Sequence, residues 1–127
     1  MIRRFNPPGV APPGAPYSHG VEVTSPQRLL FVSGQVGVKP DGSVPDGITE
    51  QARVAVQNLN AVLAGADMTT ADIVKITIYL TDEANMAGFA EGAGGVLPAD
   101  PPATTLVFVK ALASPALLVE IEAVAAQ

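Results

Sequence analysis

The stretch "DIVKITIYLT", Asp72 to Thr81, limits the fold more than any other part of the chain. Val74, Ile76, Ile78 and Leu80 fall on one face, and Lys75, Thr77, Tyr79 and Thr81 on the other. A period of two sustained over this length is a strand with one apolar and one polar side. Such a strand needs partner strands for its backbone and a cover for its apolar face. The rest of the chain must supply both.

The cover comes from a change of period. From Ile48 to Ala64, Ala52, Val56, Leu59 and Leu63, joined by Ala55 and Val62, recur at three- and four-residue steps, while Glu50, Gln51, Arg53, Gln57 and Asn60 fill the other side. This predicts an amphipathic helix that Gly65 stops. A second, weak helix is predicted in "DEANMAGFAEGAGGVL", Asp82 to Leu97, where Met86, Phe89 and Ala93 keep helical spacing. Its Gly88, Gly92, Gly94 and Gly95 each cost about 1 kcal/mol relative to alanine.

The other predicted strands are "HGVEV" from His19, "RLLFVSGQVGV" from Arg28 to Val38, Thr104 to Lys110, and Leu117 to Ala125. The second of these is β-branched and aromatic enough for a central strand, with Gly34 marking a bulge or a close backbone approach. Residues 1–16, with five prolines and two glycines, read as an irregular arm. The expected architecture is α+β, one domain over 1–127, with two helices on one face of a mixed sheet.

Charged residues are 15% of the chain, against roughly 25% in typical soluble domains. A small domain with so few polar groups is expected to bury surface against copies of itself. The net charge is −5 and the seven basic residues are scattered, which argues against nucleic acid as partner. The absence of cysteine excludes disulfides, thiolate nucleophiles and cysteine-based zinc sites. No apolar run approaches the ~20 residues of a membrane span, so no membrane partner and a cytoplasmic location are expected.

Few residues are candidates for chemistry. Glu120 and Glu122 share one face of the last strand, about 7 Å apart by strand rise. They are either a solvated row or, because Leu118 and Val124 flank them, carboxylates in a half-apolar seam where one could act as general base toward water. His19 is the sole histidine, which leaves no multi-histidine metal site, and its expected role is that of a surface loop residue. Tyr17 reads as a packing aromatic. "FVSGQVG" lacks the spacing and lysine of a phosphate loop, and no cofactor or metal motif is present.

Taken together, "PYSHG", "LLFVSGQVGV", "ITEQARVAVQNLNAVL", "ADIVKITIYLTD", "PPATTLVFVKAL" and "LVEIEAVA" resemble the RidA/YjgF/L-PSP family, in order and at matching spacing from about Pro16 to Ala125. The resemblance implies a chorismate-mutase-like α+β fold and a homotrimer with a small-molecule cleft at each subunit seam. It also implies hydrolysis of reactive enamines and imines, such as 2-aminoacrylate, to keto acids and ammonia. Some relatives are described as endoribonucleases, which the acidic charge here does not favour. Carried over by position, the cleft tyrosine falls on Tyr17, the ligand-facing backbone on Ser33 and Gly34 of "SGQ", and the water-handling glutamate on Glu120.

One position departs. The family's deaminase branch carries an arginine in a "PARS" motif, where this chain reads Pro102-Ala103-Thr104-Thr105. Thr104 thus stands where a guanidinium would grip a substrate carboxylate, and a hydroxyl offers only a single neutral hydrogen bond there. An asparagine of the family falls near Ala90. The resemblance so amended implies either an imine or enamine hydrolase whose substrate lacks an amino-acid carboxylate, or a trimeric small-molecule binder without catalysis.

Overall fold

A computed structural model of the chain describes residues 1–94 and 100–127. Its elements are β1 (Ile2–Phe5), β2 (Gly20–Val23), β3 (Leu29–Val36), α1 (Ile48–Gly65), β4 (Ile73–Leu80), α2 (Met86–Gly92), β5 (Ala103–Phe108) and β6 (Val119–Ala126), with one 3-10 turn before β4 and another before α2. β1 and β2 form a two-stranded antiparallel sheet, and the other four strands form a mixed sheet in the order β3-β6-β4-β5. β4 and β5 run parallel, with α2 in the crossover between them.

The alternation predicted for β4 is present: Val74, Ile76, Ile78 and Leu80 are buried and Lys75, Thr77 and Tyr79 half-exposed, with Ile73 also buried at a register irregularity against β6. β6, last in the chain, lies between β3 and β4. Val119, Ile121, Ala123 and Ala125 are its buried face, packed with Leu59 and Leu63 of α1 into one core. Both helices thus cover one side of the sheet, and the other side carries Glu120, Glu122 and Tyr79. Among the described residues no helix is long and apolar enough to cross a membrane.

Four readings of the sequence are corrected. Part of the arm over residues 1–16 is a strand, because Ile2–Phe5 pairs with Gly20–Val23 and Arg4 donates from Nη2 to the carbonyls of Ala71 and Ile73. β3 is an edge rather than a central strand; its apolar Leu29 and Phe31 lie 54% and 73% exposed on the side away from the helices. Gln51 is buried, whereas Val62 is exposed. Gln51 donates to the carbonyls of Pro45 and Ala116 and accepts from the Leu118 N–H at 2.8 Å, so three backbone groups outweigh the polarity of its side chain. The segment beyond Gly94 up to Leu97 lies outside the described residues.

The glycines of α2 are contacts rather than flaws. A Cβ at Gly92 would run into the Thr49 carbonyl and the Ala52 side chain, and one at Gly88 into Ile48. The intrinsic penalty of glycine is offset by the close approach of α2 to the start of α1. Gly92→Ala is therefore expected to lower stability by about 1–3 kcal/mol, the usual cost of overpacking, despite alanine's better helix propensity. A urea midpoint equal to or above that of the unmodified protein would refute this account.

Candidate functional site

The segment before β2 is fastened to the start of β5. Ser18 donates from Oγ to the Pro101 carbonyl at 2.6 Å and from its N–H to the Pro102 carbonyl at 3.1 Å, and it bridges to Ala103. Pro102 has no N–H and is itself buried, so it ends the preceding segment and presents its carbonyl to this contact. Tyr17 is thereby set beside Thr104. His19, expected to be a surface loop residue, holds Tyr17: its ring meets the tyrosine edge-on at 5.3 Å between centroids. Its own Nε2 lies 2.6 Å from the Ala11 carbonyl, which can only accept, so that nitrogen carries the proton.

Tyr17 and Thr104 form the polar part of a recess on the helix side of the sheet. Met86, Phe89 and Ala90 of α2, Leu106 of β5 and the core residues Leu59, Ile78 and Ile121 complete its wall. Bounded by the described residues it holds about 600 Å³. Leu59 and Ile121 are sealed in the core, whereas Ala90 is exposed and Tyr17 and Thr104 are half-exposed at its rim. Thr104 donates from its hydroxyl to the Pro102 carbonyl at 3.2 Å, which leaves its oxygen only as an acceptor.

Glu120, Ser33 and Gly34 lie elsewhere. Three steps along β3, from Val32 to Gln35, run against two along β6, from Ala123 to Ile121, so Ser33 and Gly34 form a bulge. Gly34 is also a close approach: a Cβ there would stand 2.6 Å from the Cδ of Glu120. Both readings of that glycine hold at once, and the carboxylate lies against bare backbone because position 34 has no side chain.

The neighbouring carboxylate is occupied. Tyr79, on β4 opposite Glu120, reaches diagonally and donates to Oε1 of Glu122 at 2.5 Å. That bond to the carboxylate, followed by partial burial and the charges of Glu122 and Glu120, raises the phenol above its ordinary value of 10.0. Lys75 turns instead to Thr105 Oγ1, at 2.6 Å. Among the described residues Glu120 has neither a hydrogen bond nor an ion pair, so the two carboxylates, equivalent by spacing alone, are not equivalent in the fold.

The raised phenol makes a testable statement. Unfolding would return Tyr79 to its ordinary value, so the pair's contribution to stability is complete below pH 10.0 and lost as pH rises through the folded value. In a phenolate absorbance titration Tyr79 is expected to ionise above that value, and Glu122→Gln to bring it back down. Identical curves for the two proteins would break the assignment.

The predicted site residues thus form two groups within the chain. Tyr17 and Thr104 are together on the helix side; Ser33, Gly34 and Glu120 are together on the other side, toward the opposite edge of the sheet. Among the described residues no group of three or more histidine, aspartate or glutamate side chains could hold a metal ion. The sequence reading missed His19 as the prop of Tyr17 and Tyr79 as the partner of Glu122. Only the alternation of β4, which puts Tyr79 on its polar face, hinted at either.

Residues 9–127 match the family profile described as Endoribonuclease L-PSP. A RutC family protein of Aquifex aeolicus is 39% identical over 64% of this chain and 63% of its own length. TdcF of Escherichia coli, described as a candidate reactive intermediate deaminase, is 38% identical over 55% of this chain and 54% of its own. These matches span less than two thirds of those relatives, whereas the RutC family protein UK114 of Drosophila melanogaster is 38% identical over 91% of this chain and 82% of its own. The crystal structure of a Rid-family protein of unknown function from Yersinia pestis superposes with a TM-score of 0.85 at 35% identity, covering 99% of this chain and 98% of that one. That of E. coli TdcF with bound serine gives 0.73 at 27%, covering 98% of each. The mixed sheet with two helices on one face is therefore the YjgF-like fold, and the chain belongs to the Rid (RidA/YjgF/L-PSP) family.

Proposed function

We propose that this protein hydrolyses small imines or enamines that lack an amino-acid carboxylate, with Glu120 as the base. The observation that carries this reading is the difference between the two carboxylates: Tyr79 engages Glu122, while Glu120 lies unpaired over the bare backbone of Gly34. An enamine first tautomerises to its imine; Glu120 then takes a proton from a water molecule as the water oxygen bonds to the imine carbon and a proton passes to the imine nitrogen. Glu120 hands its proton to the nitrogen of the carbinolamine, the C–N bond breaks to release ammonia, and the hydroxyl proton is lost as the carbonyl forms; one water is consumed for each ammonia released. The name of TdcF supports deamination of reactive intermediates as the reaction class.

Because the two groups of site residues occupy opposite faces, the complete site requires a second protomer. A head-to-tail ring sets the Glu120 side of one sheet against the Tyr17–Thr104 edge of the next. The exposed Leu29, Phe31 and Val107, on the same side of the sheet as Glu120, supply apolar surface for it. We take the ring to be a homotrimer with the ligand at each seam. Analytical ultracentrifugation is expected to give the trimer mass at micromolar concentration, and a monomer there would remove the site so described.

The deciding experiment is ammonia release across a panel of imines generated in situ, both with and without a carboxylate. Turnover of uncharged imines that is lost in Glu120→Gln supports the reading. Saturable binding without ammonia release from any of them would make the protein a non-catalytic binder.

A further inference from the structure

We propose that the recess beside Tyr17 and Thr104 receives an uncharged apolar substituent, branched alkyl or aryl, on the carbon that bears the nitrogen. This rests on the proposed function for the site and names the class of molecule that fits it. The size is that of sites holding small organic molecules, roughly 300–1,000 Å³. Among the described residues no charged side chain lines the wall, and the hydroxyls there are those of Tyr17 and Thr104. Tyr17 can donate to a carbonyl or imine nitrogen, while Thr104, whose proton goes to Pro102, can only accept from an N–H. Ala90, Met86 and Leu106 offer nothing to satisfy a carboxylate. A carboxylate held there would be desolvated against carbon without a countercharge, whereas an alkyl or aryl group gains from the same surface.

Acetophenone and phenylglyoxylate differ by a methyl group in place of a carboxylate, and both mimic the carbonyl product. By calorimetry on the unmodified protein, acetophenone is expected to bind about tenfold or more tightly than phenylglyoxylate. Ala90→Phe places a ring at the exposed rim of the recess from a solvent-facing helix position, and is expected to weaken acetophenone binding by about tenfold or more. Phenylglyoxylate binding as tight as acetophenone, no binding of either at millimolar concentration, or acetophenone binding unchanged in a folded Ala90→Phe would each overturn the proposal. Binding is read without turnover, so a protein that binds acetophenone but releases no ammonia refutes the hydrolysis and not the recess. Conversely, ammonia release from small imines, with acetophenone ignored, refutes only the recess.

Discussion

Glu120→Gln is expected to slow ammonia release from a competent imine by roughly 10²–10⁴-fold, the range for removing a positioned general base. Glutamine keeps the length and planar shape that lie against Gly34, so the bulge and the fold persist while the basic oxygen is lost. Glu122→Gln is the matched control. That carboxylate accepts the Tyr79 hydroxyl, and its substitution weakens a cross-strand bond without touching the free carboxylate. Turnover is then expected to stay within a few-fold of the unmodified protein. If both variants keep full turnover as trimers, the carboxylate mechanism is wrong; if only Glu122→Gln is inactive, the base is the partner of Tyr79.

Restoring the missing cation has the second largest expected effect. The unmodified protein is expected to act weakly on 2-aminoacrylate, because on the proposed reading Thr104 stands where its carboxylate would be paired. A charged hydrogen bond is worth about 1.5–3 kcal/mol, or roughly ten- to a hundredfold in binding. Thr104→Arg should therefore raise kcat/KM for 2-aminoacrylate by that factor while lowering it for uncharged imines. Thr104 is half-exposed on edge strand β5, so a longer side chain can turn outward to the rim rather than into the core. Hydrolysis of 2-aminoacrylate by the unmodified protein at the rate of arginine-bearing relatives would show that Thr104 is not the decisive departure.

Much of the fold was legible because it is local. The strand over Ile73–Leu80 and the helix over Ile48–Gly65 are written as periods of two and 3.6. The bulge at Gly34 followed from the lack of a side chain, and the family from strings preserved in order. What stayed hidden depends on residues far apart in sequence. The phenol that separates Glu120 from Glu122 is 43 residues from its acceptor, and Gln51 closes contacts across 65 and 67 residues. Strand order placed β6 in the centre and left apolar β3 at the edge, because pairing is decided by the total burial of the sheet and not by the composition of one strand. The sequence by itself determined most of the elements and which residues are candidates for chemistry. Only the tertiary structure decided which carboxylate is free and that the site residues occupy two faces, since both follow from register, and register is a property of paired strands.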